Sequence, residues 1–403
     1  MIFFYLTVMK LTETLQVKRS NELSKLCHLA KNLYNLANWY YRQDFFILRS
    51  CLSYYDLDFI LKDKDTYRAL PSQTSQQVLK LVIRNWKSYF KALREYKVNP
   101  IKFRAKPKIP NYKKKNGESI VIFTNQQCRI KKGWLYFPKS ANISPIKTRI
   151  TNRIKEVRIV PLGVCYKIEL VYEKEETDLK LSKSNIVCVD LGLNNLITAV
   201  NNKGLKPFVV KGKVVKSINQ YYNKHLAHYR SVERLKGNVS DTKRIQKLRL
   251  TRNNKIRDIF HKLSRALVEY SKENDIGTIV IGYNEGWKQN VNLGKKTNQN
   301  FVQVPFSTLV QKIKYKATLV GITTLLQEES YTSKCSFLDR EPIEKRDSYE
   351  GKRISRGLFR SSNGTIINAD INASYNIMRK AVPNSIVDDG IEGVGLHPLL
   401  VAI

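Results

Sequence analysis

The run Ile186-Val187-Cys188-Val189 is apolar and then ends in a charged residue, Asp190. Leu191-Gly192-Leu193 follows, and the turns Asn194-Asn195 and Asn201-Asn202-Lys203-Gly204 flank further strands at Leu196 to Val200 and Pro207 to Val210. Three consecutive strands joined by tight turns form an antiparallel meander. The first of them constrains everything around it, because a lone charged Asp buried there costs several kcal/mol unless it is paired or bound to a metal. The competing reading is a structural Asp that caps the turn at Gly192.

A second acid stands far downstream. Ile366-Ile367-Asn368-Ala369-Asp370-Ile371-Asn372-Ala373-Ser374-Tyr375-Asn376-Ile377 opens a helix with Asp370 near its N-terminus. The helix dipole favours a carboxylate there, so an N-cap role competes with a chemical one. Asn372, Ala373 and Asn376 are small or amide-bearing and suit close packing beside a charged centre.

Charge sets the partner. Lys and Arg number 71 against 34 Asp and Glu, a formal net charge of +37. Solubility asks for a magnitude of only about 2–8 in a small domain, so the excess points to a polyanion, most simply nucleic acid. The densest run, Lys97 to Lys115, carries Lys97, Lys102, Arg104, Lys106, Lys108, Lys113, Lys114 and Lys115 with no acid, and Pro100, Pro107 and Pro110 forbid a helix. It reads as an extended arm that contacts nucleic acid, with Phe103 and Tyr112 as interleaved stacking rings. Lys216 to Glu273 is a long helical stretch whose Arg244, Lys247, Arg249 and Arg252 are candidates for the same role.

The remaining organisation follows from periodicity. Lys10 to Tyr96 is mainly helical, with one stripe of Leu23, Leu26, Ala30, Leu33, Leu36 and Trp39 and another helix opening after Pro71. Glu118 to Lys174 alternates in short runs and reads as a small antiparallel β domain. The apolar stretch from Met1 to Met9 lacks a basic flank and a cleavage site, so it reads as a strand that joins this β domain rather than a signal peptide. No apolar run approaches the ~20 residues of a spanning helix. The expected location is therefore the cytoplasm, with nucleoid association in a prokaryotic cell. The cysteines Cys27, Cys51, Cys128, Cys165, Cys188 and Cys335 are dispersed without a C-x-x-C pair, which gives neither a disulfide framework nor a zinc motif.

Three blocks carry a resemblance. Val187 to Leu193, Tyr331-Thr332-Ser333, and Asn368 to Ala373 with Asn376-Ile377 resemble, in this order, the signatures of transposon-encoded OrfB/TnpB proteins, relatives of compact type V CRISPR nucleases. Leu70-Pro71-Ser72-Gln73, Phe123-Thr124 and Lys132-Gly133-Trp134-Leu135 extend the resemblance over nearly the whole chain. It implies an α+β multidomain protein with an RNase H-like (RuvC) nuclease domain, a WED-like β-barrel and an inserted REC-like helical domain. The expected boundaries are a first barrel strand at 1–10, helical domain 11–96, arm and rest of the barrel 97–180, nuclease domain 185–330, a degenerate zinc-ribbon insertion 331–365, the last nuclease helix 366–382 and a tail 383–403.

The resemblance further implies an RNA guide from the protein's own transposon locus, a double-stranded DNA target, and Mg²⁺ held by Asp190 and Asp370 for phosphodiester hydrolysis. Two departures stand out. Cys335 is the sole ribbon cysteine, with Leu338, Arg360 and Asn363 at the other positions, so no zinc is expected. The strand Thr278-Ile279-Val280-Ile281 reaches Gly282 where a glutamate is expected. In an RNase H-like sheet the strand Ile322 to Leu326 lies beside it, so Glu328 or Glu329 is the expected replacement, with Glu285 as a third choice and a solvated acidic pair as the bland one. The leading expectation is an RNA-guided DNA endonuclease of an IS200/IS605-type element. The alternatives are a non-cleaving RNA-guided repressor of the same fold and a transposase acting directly on DNA. Nothing in the sequence sets an oligomeric state.

Overall fold

The structure, a computed structural model, describes residues 8–238, 240–284, 286, 294–355, 357–383, 385 and 397–402. It divides into two compact units, one of residues Val8–Lys174 and one that begins at Glu175.

The first unit opens with β1 (Val8–Lys18) and then α1 (Asn21–Gln43), α2 (Tyr54–Leu61), α3 (Asp65–Arg68) and α4 (Ser72–Val98). It closes with β2 (Val121–Thr124), β3 (Arg129–Lys131), β4 (Trp134–Tyr136), β5 (Ile146–Lys147), β6 (Ile154–Pro161) and β7 (Cys165–Glu175). One sheet has the order β1-β7-β6-β2 and a smaller one β3-β4-β5. The boundary expected at residue 10 is corrected: the strand runs to Lys18, so the helices start at Asn21 rather than 11. Met9, Leu11, Glu13, Leu15 and Val17 alternate inward with exposed Lys10, Thr12, Gln16 and Lys18, a period of two that the polar residues blur. The earlier part of the expected strand, residues 3–7, lies outside the described residues.

Helix α1 starts where the Ser20 side chain accepts from the Leu23 N–H, and it buries Leu23, Leu26, Ala30, Leu33, Ala37 and Tyr41. That face rotates away from Trp39, which is 44% exposed and does not belong to the core stripe. Trp86 of α4 stacks on Tyr41 at 4.5 Å and donates to Asn38, so its one polar atom is satisfied within the core.

The second unit contains β8 (Ile186–Asp190), β9 (Asn195–Asn201), β10 (Phe208–Lys211), α5 (Lys213–Leu235), α6 (Lys243–Glu273), β11 (Thr278–Gly282), α7 (Lys295–Gln303), α8 (Phe306–Thr318) and β12 (Thr323–Gln327). After these come β13 (Lys352–Ser355), β14 (Leu358–Arg360), β15 (Ile366–Asn368), α9 (Ala369–Ala381) and β16 (Leu399–Val401). The main sheet has the order β12-β11-β8-β9-β10-β16. β8, β9 and β10 form the antiparallel meander, whereas β11 runs parallel to both β8 and β12. Val187, Val189, Ile279 and Ile281 point to one core with residues of α6 and α8. Ile186, Cys188 and Val280 point to the other with Ile371, Tyr375 and Ile377 of α9. A sheet covered on two faces explains the near-continuous apolar runs of β8 and β11. It also brings the C-terminal ends of β8, β11 and β12 side by side under the start of α9. The fold is α+β with an RNase H-like sheet, as the resemblance implied.

Candidate active site

Asp190 is the last residue of β8, opposite Thr198 of β9, and half-buried. Asp370 sits in the first turn of α9, whose N-cap is Asn368; the Asn368 side chain accepts from the Asp370 and Ile371 N–H groups. Asp370 is thus not the cap, and its own carboxylate accepts from Asn195 Nδ2 at 2.5 Å. Burial first, then the charge of Asp370, pushes the Asp190 carboxyl up to about 7.

Registration of Gly282 with Gln327 places Glu329 just past the end of the neighbouring strand. A Cβ on Gly282 would collide with the Glu329 carboxylate and lie 2.8 Å from Ile377 Cδ1. The absent side chain of residue 282 is therefore the space that Glu329 fills. Burial, then the charge of Asp190, raises the Glu329 carboxyl to about 8. Its Oε1 is buried and has no hydrogen-bond partner. Such an orphaned oxygen costs free energy unless a proton or a cation meets it.

The backbone of Glu329 is held from both sides. Its N–H donates to Asn284 Oδ1 at 2.8 Å, and its carbonyl accepts from Thr332 Oγ1 at 2.8 Å. Thr332, the centre of the Tyr-Thr-Ser block, in turn offers its carbonyl to Asn376 of α9 at 2.9 Å. Glu328 goes elsewhere. It pairs with Lys380 at 2.6 Å and with Ser330, and these contacts lower its carboxyl below the usual range. Of the two expected glutamates only Glu329 joins Asp190, and the reason is that successive residues at a strand end point in opposite directions. Glu285, the third choice, lies outside the described residues, as do Trp287 to Asn290.

The three acids, one with an orphaned oxygen and two pushed toward protonation, offer the oxygen chemistry that a hard divalent cation such as Mg²⁺ takes. Among the described residues, however, no group of three or more His, Cys, Asp or Glu side chains is placed to hold a metal ion. An ion held by such separated carboxylates would keep several of its waters.

The ribbon segment does not fit zinc. Cys335 Sγ donates to the Pro342 carbonyl, and Leu338 packs against buried hydrophobic residues. Carboxylates make the cross-links instead. Asp339 accepts from the Ser362 N–H and hydroxyl at 2.9 and 2.6 Å, joining the two turns that carry the expected ligand positions. Glu341, only 1% exposed, accepts from the Ser336 and Glu350 N–H groups at 2.7 and 3.1 Å. Asn372 and Asn376 of α9 donate to the Cys335 carbonyl, and Phe337 stacks on Tyr375 at 4.7 Å. The segment thus docks on the helix that bears Asp370.

The basic candidates separate by what holds them. The arm lies along α1: Lys31 and Asn35 donate to the carbonyls of Lys115 and Lys113, and Asn38 and Arg42 to that of Pro110. Lys97, Lys102, Arg104, Lys106, Lys108, Lys113, Lys114 and Lys115 are exposed. Lys102 pairs with Glu95. The rings expected to stack bases are already engaged, Tyr112 under Arg42 at 4.5 Å and Phe103 against Tyr96 at 5.7 Å. They anchor the arm. On α6, Arg249 pairs with Asp241, and Arg252 donates to Asn219 and the Gln303 carbonyl, so Arg252 ties helices together. Arg244 and Lys247 remain exposed.

Comparison with known proteins finds similar sequences and a similar fold. A family model for OrfB of IS605, described as "Probable transposase", matches residues 169–288, and a Cas12f1-like TNB domain model matches residues 306–377. The CRISPR-associated endodeoxyribonuclease Cas12f2 of a Micrarchaeota archaeon (strain CG1_02_47_40) is 29% identical over 238 residues, 55% of this chain and 41% of that protein. The TnpB-like protein ORF457 of Acidianus two-tailed virus is 24% identical over 238 residues, 56% of this chain and 49% of that protein. The matches thus span less than half the length of these curated relatives. The structure of a Cas12f1–sgRNA–target DNA complex shares the fold at a TM-score of 0.52 and 15% identity, covering 89% of this chain and 82% of that one. Two segments of this chain are thus similar to OrfB of IS605 and to the Cas12f1-like TNB domain, and its fold is similar to that of Cas12f1.

Proposed function

We propose that the protein is an RNA-guided DNA endonuclease with one hydrolytic site, formed by Asp190, Glu329 and Asp370. The observation that carries this reading is the Glu329 carboxylate standing in the space of residue 282, with an unpartnered oxygen beside Asp190. Two Mg²⁺ ions at such a site would activate water and stabilise the leaving oxygen of a phosphodiester. Asp190 and Asp370 would hold them, with Glu329 as the third ligand. The chain's own residues supply position. Asn195 orients the Asp370 carboxylate, and Asn284 and Thr332 fix the backbone of Glu329. The charge of +37, with the exposed cations of the arm, would carry a guide RNA and a double-stranded DNA target, with base pairing supplying sequence specificity.

A ribbon segment without zinc belongs to the same proposal, since Asp339 bridges the two turns that a metal would otherwise join.

One observation favours the non-cleaving repressor as a second reading: among the described residues no group of three or more acids is placed to hold a metal ion. Purification from the native locus followed by RNA sequencing tests what the readings share. No co-purifying RNA would sink both guided readings and leave the direct transposase. Incubation of the particle with matched double-stranded DNA and Mg²⁺ then separates them, since the nuclease cuts and the repressor only binds.

A further inference from the structure

On the face of the main sheet opposite α9, helices α6 and α8 bring their cations together. Arg257, His261 and Arg265 recur every four residues along α6, and Lys312 and Lys316 stand four apart on α8. Residues at that spacing share a helix face. The two rows meet, with Lys312 Nζ 2.7 Å from His261 Nε2. Lys316 Nζ donates to the His261 carbonyl at 2.6 Å and to Ser264 Oγ at 2.9 Å. Among the described residues no carboxylate pairs with Lys312, Lys316, Arg257 or Arg265, and Asp258 pairs instead with Lys262 at 3.0 Å.

This arrangement singles out one amine. A ring nitrogen so close to an ammonium is the acceptor, so His261 presents the Nε2 lone pair to Lys312. Partial burial, then the charges of Lys316 and Arg257, push the Lys312 ammonium down to about 8. Burial, then Arg265, brings Lys316 to about 8 as well, but its nitrogen is already engaged by two oxygens. Desolvation and a neighbouring cation are the two conditions that activate a lysine as a nucleophile. Lys312 meets both, with a base in contact.

We propose that Lys312 is an acylation site that takes its acyl group from acyl phosphates. The cluster favours that class twice. Arg257 and Lys316 attract the phosphate dianion and hold it as the leaving group. Acylation also removes one of several positive charges that repel one another. In the step, the Nζ lone pair attacks the acyl carbon and forms an N–C bond. The bond from that carbon to the phosphate oxygen breaks, and its electron pair leaves with inorganic phosphate. One amine proton passes to His261 Nε2 and from there to water, and a neutral amide remains on the side chain. The inference is independent of the nuclease reading.

The test treats the full chain with acetyl phosphate and follows Lys312, Lys316 and Lys262 by peptide mass spectrometry. Lys262 is the reference, because it adjoins His261 in sequence and its ammonium pairs with Asp258. At about pH 7 Lys312 should acetylate roughly tenfold faster than Lys262, and ahead of Lys316. Its rate should rise to about pH 8 and then level, because only the neutral amine reacts. In denaturant the three lysines should react within about twofold of one another, since the activation belongs to the fold. Excess inorganic phosphate should slow Lys312 severalfold. His261→Phe should slow it by about threefold to tenfold through loss of the base. Arg257→Gln, which keeps His261 in place, should slow it at about pH 7 and move the level part of the pH profile upward. Equal rates at Lys312 and Lys262 in the folded chain overturn the site, as does preferential labelling of Lys316. A rate indifferent to added phosphate overturns the choice of acyl phosphates. Wild-type rates in both variants overturn the roles given to the cluster.

Discussion

The Glu329 carboxylate occupies the volume that a side chain at Gly282 would need, across two parallel strands registered at Gly282 and Gln327. A glycine at a strand end and a glutamate on the next strand are therefore one feature. Gly282→Ala should displace Glu329 and lower cleavage by at least tenfold while guided binding persists. The swap Gly282→Glu with Glu329→Ala should cut faster than Gly282→Glu alone, because it removes the collision and restores one acid. Kinetics of the three variants on matched DNA check this.

The pH dependence of stability has a definite sign. Folding raises Asp190 from 3.8 to about 7 and Glu329 from 4.5 to about 8. The folded state thus binds protons more tightly than the unfolded one. The pair's contribution is full below about pH 4 and is lost as pH rises through about 7 to 8. In a chelator, Glu329→Gln should gain in Tm relative to wild type between pH 5 and pH 8. Saturating Mg²⁺ should shrink that gain. A difference that does not change with pH contradicts the assignment.

The ribbon segment should be indifferent to zinc. A chelator selective for zinc should leave Tm and cleavage unchanged, and metal analysis should find no stoichiometric zinc. Asp339→Ala should lower stability by about 1–3 kcal/mol, since it strips a partner from the Ser362 N–H and hydroxyl. Glu328→Gln should cost less than about 1 kcal/mol, because its bridge to Lys380 is exposed.

Cations on α6 should separate into two kinds. Arg252→Ala should lower Tm through loss of its bonds to Asn219 and Gln303. Lys247→Ala should leave Tm alone and weaken nucleic-acid binding at low salt. Binding of RNA from the native locus should fall steeply with salt, and a flat response contradicts the role of the arm.

Much of this was legible in the sequence because it rests on periodicity. The meander, the strand ending in Asp190 and the helix opening at Asp370 each follow from apolar runs with clear stops. Gly282 was legible as an absence, and its strand pairing pointed to Glu328 and Glu329 together. Choosing between them required the direction of each side chain, which spacing does not give. Asn195, Asn284 and Thr332 escaped for a different reason: they act through one hydrogen bond to a carboxylate or a backbone atom. Only the place of Thr332 within a motif block, and of Asn195 in the turn after Asp190, signalled them. What the arm's rings touch, Arg42 over Tyr112 and Tyr96 beside Phe103, is side-chain placement that spacing does not give.

The central claim is that Glu329 supplies the third carboxylate of a working nuclease. The most direct measurement is cleavage of matched double-stranded DNA, with guided binding measured in parallel, by wild type, Asp190→Asn, Glu328→Gln, Glu329→Gln and Glu285→Gln. Wild type, Glu328→Gln and Glu285→Gln should cut within about threefold of one another, while Asp190→Asn and Glu329→Gln lose roughly 100-fold or more and still bind. Cutting by Glu329→Gln at the wild-type rate, with loss in Glu285→Gln instead, would contradict the account.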